Sequence, residues 1–225
     1  MFTGIIQSIG QVAALEPQGD DLRVRLQTGK LELSNVELGD SIAVNGVCLT
    51  VVELSADGFW ADVSGETIKC TGFAHMQVGS KINLEKALTP TTHLGGHLVS
   101  GHVDGVGEVV QRYNDGRSVR FHIKAPDELA KYIADKGSVT VDGISLTVNA
   151  VNGAEFELNI VPHTLQETTM GDFAVGTKIN LEVDLIARYL ERLLLGDKAA
   201  EANASSGSGS AAITTRFLQT HGFMK

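Results

Sequence analysis

Cysteine, proline and tryptophan are scarce in this 225-residue chain, which has two, four and one of them. Two thiols, Cys48 and Cys70, with no C-x-x-C pair, exclude a disulfide framework and suit a reducing compartment. Long apolar runs are missing as well. None approaches the roughly 18 residues that a membrane-spanning helix needs, and 43% hydrophobic against 20% charged residues reads as a soluble globular protein with no membrane partner. Basic charge is in deficit, with 18 Lys and Arg against 27 Asp and Glu and a formal net charge of −9. With no Lys/Arg stripe interleaved with aromatics, such a chain repels polyanions, and no nucleic-acid partner is expected. The first ten residues lack a basic region and a small-residue cleavage site, so a cytoplasmic location is expected.

What the chain does have is a repeat. Val78-Gly-Ser-Lys-Ile-Asn-Leu-Glu85 returns 97 residues later as Val175-Gly-Thr-Lys-Ile-Asn-Leu-Glu182, identical at seven of eight positions. At the same offset Ser41–Val51 returns as Ser138–Val148, and Thr3-Gly4 as Ser100-Gly101. One constant offset implies two copies of one domain. Within each copy the apolar residues alternate around a two-residue turn. Ile42 and Val44 precede Asn45-Gly46, and Val47, Leu49 and Val51 follow, with Cys48 and Thr50 on the opposite face; the second copy repeats this around Asp142-Gly143. Asn-Gly and Asp-Gly tolerate the positive φ of tight hairpins. Many short strands with glycines between them predict an all-β chain of two tandem antiparallel barrels.

Two helices are expected outside this pattern. The segment 126–137 starts with Pro and acids and stops at Gly, and 185–195 carries Ile186, Tyr189, Leu190, Leu193 and Leu194 at three- and four-residue spacing. The latter follows the second repeat, so it serves subunit association or caps its own barrel. Residues 199–212, rich in Ala, Ser and Gly, read as a linker, and 213–225 as a frayed tail or a short terminal helix. The organisation expected is two domains at 1–96 and 97–184, a helix at 185–196 and a flexible tail at 197–225.

The opening Met1-Phe-Thr-Gly-Ile-Ile6, together with Asn45–Val51, Gly95–Val103 and Asp142–Val148 in that order, resembles the riboflavin synthase family with its tandem lumazine-binding repeats. The likeness spans about residues 1–195. It implies two six-stranded Greek-key barrels, a homotrimer held by C-terminal helices, and sites where the N-terminal barrel of one subunit faces the C-terminal barrel of another. The implied reaction moves four carbons between two 6,7-dimethyl-8-ribityllumazine molecules, giving riboflavin and 5-amino-6-ribitylaminouracil, with no cofactor and no metal. Two identical substrates call for two similar pockets, and a duplicated barrel supplies them.

The resemblance also implies the site residues. In the first copy they are Gly4, Ile5 and Ile6; Cys48, Leu49 and Thr50; and Asp62, Val63, Ser64, Gly65, Glu66 and Thr67. In the second they are Gly101, His102 and Val103; Ser145, Leu146 and Thr147; and Asn159, Ile160, Val161, Pro162, His163 and Thr164, with His97 and Lys136 added. Short polar side chains leave room for a planar ring, while hydroxyls suit a ribityl chain. His102 with Ser145 and Thr147 is the group expected to assist removal of a methyl proton. Cys48, the counterpart of Ser145, faces them as a nucleophile, as a positioning group or as a packed residue. His93, His97 and His102 lack metal-ligand spacing, and Lys136 is a ligand contact or a cation at a helix end. Two other classes stay open, a non-catalytic lumazine or flavin carrier and a barrel that binds protein or nucleic acid.

Overall fold

In the computed structural model, residues 1–200 are described. The first copy comprises β1 (Ser8–Gln18), β2 (Asp21–Gln27), β3 (Ser41–Val44), β4 (Val47–Ser55), β5 (Gly58–Val63) and β6 (Lys81–Lys86), with helix α1 (Gly65–Cys70) between the last two. These strands close in the order β1-β2-β5-β4-β3-β6, an antiparallel Greek-key barrel. Closure removes the unpaired edges on which open sheets aggregate. The β3–β4 turn is built as its sequence requires, with Asn45 at φ 45° and Gly46 at φ 79°, a pair of left-handed residues whose twist matches that of the strands they join.

The second copy contains β7 (Gly105–Asp115), β8 (Ser118–Lys124), β9 (Ser138–Val141), β10 (Ile144–Thr147), β11 (Ala150–Asn152), β12 (Glu155–Ile160) and β13 (Lys178–Val183), with α2 (Pro162–Glu167) before the last strand. Its sheet has seven strands rather than the expected six, in the order β10-β9-β13-β7-β8-β12-β11. The extra strand has a local cause. In β4 a bulge lies between Val51 and Glu53, and at the equivalent point, Val148-Asn149, the second copy breaks its strand into β10 and β11. The two ends of the curled sheet are therefore successive pieces of one strand, and the circuit is the same.

Each copy has its own core. Phe59, Ile82 and Leu84 are fully buried in the first, and Phe121, Leu158 and Ile179 in the second. Truncating such a phenylalanine to alanine costs about 3–5 kcal/mol. In the repeated Ile-Asn-Leu-Glu of β6 and β13 all four residues are buried, although only the isoleucine and leucine belong to the barrel cores.

Segment 126–137 does not form the α-helix its sequence suggests. A 3-10 turn, Asp127–Tyr132, stands there, and Ile133 is already extended. Leu129 and Ile133 both bury into the second core, so packing on the barrel outweighs a helix too short to persist alone. The later helix forms as α3 (Leu185–Leu195), its first turn held by Asp184 Oδ1, which accepts the Ile186 N–H at 2.9 Å. A 3-10 turn, Gly196–Ala200, ends the described chain; the remainder of the expected linker and the terminal segment 213–225 lie outside the described residues. Among the described residues no helix is long and apolar enough to cross a membrane.

Candidate functional site

The two copies exchange their leading segments. Phe2 and Val99, equivalent at the 97-residue offset, form an antiparallel bridge with one another (2.7 and 3.1 Å). Passing each other there, the segments land on opposite barrels. The Gly4 carbonyl accepts the Ser145 N–H at 2.8 Å, and the Gly101 carbonyl accepts the Cys48 N–H at 2.8 Å. Ile6 accordingly packs against the second core and Val103 against the first.

Proximity thus regroups the candidate residues crosswise. Residues 4–6 join 145–147 of the second barrel, while 101–103 join 48–50 of the first. Each glycine is a tight fit at positive φ (+74° and +82°): a Cβ on Gly4 would lie 2.5 Å from Ser145 Cβ, and one on Gly101 2.7 Å from Cys48 Cβ. Asp62–Thr67 follows the group at residues 48–50, because β4 pairs with β5 through Val51 and Ala61 and the chain then enters α1, with Ser64 Oγ accepting the Thr67 N–H. In the second copy the Asn149 N–H donates to Glu157 at 2.8 Å, and Asn159–Thr164 runs on from β12 into α2 in the same way. Cys48 and Thr50 share one face of β4, as Ser145 and Thr147 share one face of β10.

Within the chain, the histidine partner of Ser145 is His97. His97 Nδ1 lies 2.7 Å from Ser145 Oγ, and its Nε2 lies 3.2 Å from Thr140 Oγ1. His102 is exposed and belongs with Gly101, on the Cys48 side, its N–H donating to Ser100 Oγ. The crossing of the leading segments is why, within one chain, His102 stands on the Cys48 side and not beside Ser145. Burial pushes the His97 ring below the usual histidine range, opposed by the nearby Asp184 carboxylate, so the imidazole is neutral at pH 7 and able to accept a proton. The first copy lacks this polar chain. Cys48 packs with Phe2, Ala43, Ala87 and Val99, and Ala43 stands where the second copy has Thr140. Lys136 is exposed at a left-handed position, φ 62°, its N–H donating to the Val148 carbonyl.

Several polar residues of the site escaped the sequence reading. Glu85 accepts the Thr3 N–H (2.7 Å), the Thr3 hydroxyl (2.6 Å) and the Gly4 N–H (2.9 Å). Glu182 does the same for Ser100 and Gly101 at 2.6, 2.7 and 3.0 Å. Asn83 Nδ2 donates to the Asp142 carbonyl, and Asn180 Nδ2 to the Asn45 carbonyl, so the two hairpin turns are locked together. The signal was present in the repeat: an asparagine and a glutamate at the same two strand positions of both copies.

A model of the lumazine binding domain matches residues 3–87 and again 100–184. A riboflavin synthase of Photobacterium phosphoreum is 50% identical over 224 residues, covering 100% of both chains, and one of Actinobacillus pleuropneumoniae is 41% identical over 223 residues, covering 99% of this chain and 100% of the other. The chain belongs to the riboflavin synthase family. Among solved structures it is similar to LumP complexed with 6,7-dimethyl-8-(1'-D-ribityl) lumazine, with a TM-score of 0.74 and 27% identity, covering 81% of this chain and 99% of that one. The LumP complex with riboflavin gives 0.75 and 29% at the same coverage.

Proposed function

We infer that this protein catalyses the dismutation of two 6,7-dimethyl-8-ribityllumazine molecules to riboflavin and 5-amino-6-ribitylaminouracil, by transfer of a four-carbon unit. The full-length identity of 41–50% to riboflavin synthases carries this reading. The two glycine-completed groups fit it, since holding two reactants in register can lower the barrier by about 7–11 kcal/mol. The chemistry is redox-neutral overall, because one lumazine gains the carbons that the other loses.

In this reading each group binds one lumazine, the ring lying beside the exposed faces of residues 48–50 or 145–147 and the ribityl chain near 62–67 or 159–164. In this reading Ser145 takes the methyl proton as it passes its own hydroxyl proton to neutral His97, and Thr147 extends the same face. His102 and Cys48 serve the other pocket, where the thiol acts by position. Likeness to the family supports a cytoplasmic homotrimer, in which the reacting pockets would lie on neighbouring subunits and Lys136 would reach a ligand of the next chain. In α3, Ile186 and Tyr189 are 60% and 63% exposed, an apolar surface that association would cover.

A carrier that binds lumazine without turnover is the second reading, favoured by the likeness to LumP. Incubating the purified protein with the lumazine and a chelator separates the two. Riboflavin formed at half the amount of lumazine consumed supports the enzyme; binding with no riboflavin supports the carrier.

A further inference from the structure

We propose that Glu85 and Glu182 are positioning residues that act across the pair of barrels, Glu85 setting the site at Ser145 and Glu182 the site at Cys48. This rests on the riboflavin synthase reading above. Each carboxylate is buried on the strand of its own barrel, 3% exposed for Glu85 and 4% for Glu182. Each holds three donors of the leading segment, and the carbonyl of the glycine so held accepts the N–H of the site residue on the other barrel. A continuous path therefore runs from Glu85 through Gly4 to Ser145, and from Glu182 through Gly101 to Cys48.

A second branch leaves each carboxylate through a hydroxyl. Thr3 Oγ1 donates to Glu85 and accepts the Ile5 N–H at 3.1 Å, while Ser100 Oγ donates to Glu182 and accepts the His102 N–H at 3.2 Å. Glu182 thus orients the backbone of His102 as well as that of Gly101. Burying a carboxylate is costly unless its oxygens are well supplied with donors, and burial pushes both carboxyls upward despite theirs, with the nearby Asp104 acting in the same direction on Glu182. A glutamine of the same shape would present an amide N–H either to the glycine N–H or to the Thr3 or Ser100 N–H, donor against donor, and spoil the cradle.

The test uses full-length protein carrying Glu182→Gln or Glu85→Gln, with Ser100→Ala and Thr3→Ala as milder variants in case either glutamine fails to fold. Alkylation of Cys48 by iodoacetamide is followed by peptide mass spectrometry, with the exposed Cys70 as internal reference, beside kcat and KM for riboflavin formation. Glu182→Gln should shift the Cys48 to Cys70 rate ratio at least about fivefold, and Glu85→Gln should leave it within about twofold. In a Ser145→Cys background the pattern at position 145 should reverse. Both glutamine variants should lose about 100-fold in kcat, the scale of a misplacement near 1 Å, and the alanine variants should follow the same crosswise pattern more weakly. Equal shifts of Cys48 from both carboxylates, no shift from either, or an unchanged kcat would overturn the proposal. Wild-type protein that makes no riboflavin would refute the reading it rests on, while the alkylation contrast still tests the cradle.

Discussion

Asp142→Asn isolates the effect of one buried carboxyl. Asp142 is 6% exposed, and its Oδ1 accepts the Asn180 N–H at 2.7 Å. At the same place in the first copy, Asn45 Oδ1 accepts the Asn83 N–H at 2.7 Å, so an asparagine already performs this bond on an equivalent left-handed turn. Burial outweighs the bond from Asn180 and raises the Asp142 carboxyl from 3.8 to about 7. The folded state therefore binds the extra proton, and stability is lost as pH rises between about 4 and about 7. Between pH 5 and pH 8 the loss comes to about 3 kcal/mol, since each pH unit inside the window is worth ~1.4 kcal/mol. Asparagine carries no such penalty, so the melting temperature of Asp142→Asn relative to wild type should rise by about 5–10 °C from pH 5 to pH 8 for a protein of this size. Comparing variant with wild type at each pH cancels the contributions of Glu85 and Glu182. An advantage of equal size at both pH values would refute the reasoning.

Gly101→Ala should reduce kcat at least tenfold, because the new Cβ meets Cys48 Cβ at 2.7 Å and Phe2 Cε2 at 2.8 Å on a residue at φ +82°; steady-state turnover with a circular dichroism check on folding measures it. Ser145→Ala should cost about 10²–10³ in kcat by removing the hydroxyl that His97 holds, whereas Cys48→Ser, in a pocket lined by Phe2, Ala43 and Val99, should cost less than tenfold; a larger loss for Cys48→Ser would point to an essential thiolate. Activity should hold from pH 8 to pH 6.5 and decline only below that, since His97 titrates under the usual histidine range; a decline beginning near pH 7.5 would contradict its role as the neutral acceptor. Replacing Tyr189 and Leu193 of α3 by Asp should convert the proposed trimer to monomers in analytical ultracentrifugation, and a trimer that persists would place association elsewhere.

The hairpin turns were legible because Asn45-Gly46 and Asp142-Gly143 carry their own conformational requirement, and the barrels because apolar alternation recurs at one offset. α3 was legible from its spacing. The break at Val148-Asn149 was not, since a bulge and a broken strand share one local pattern. The 3-10 turn at Asp127–Tyr132 was hidden for a different reason: start and stop residues describe a lone helix, while Leu129 and Ile133 answer to the barrel beneath them. Likeness to a family supplied the candidate positions of the site but not their grouping. Gly4 and Ser145 are 141 positions apart, and only the passage of Phe2 beside Val99 brings them together. Glu85 and Glu182 drew no attention as strand residues, because the cover that buries them comes from a segment distant in sequence.

A crystal structure of the protein with riboflavin or a non-reacting lumazine analogue would test the central claim most directly. Two ligands per chain are expected, one touching Ser145 and the Gly4 segment, the other touching Cys48 and the Gly101 segment. A ligand seated instead in the cavity of about 460 Å³ lined by Asn45, Asp142, Lys81 and Lys178, with both glycine segments untouched, would contradict the account.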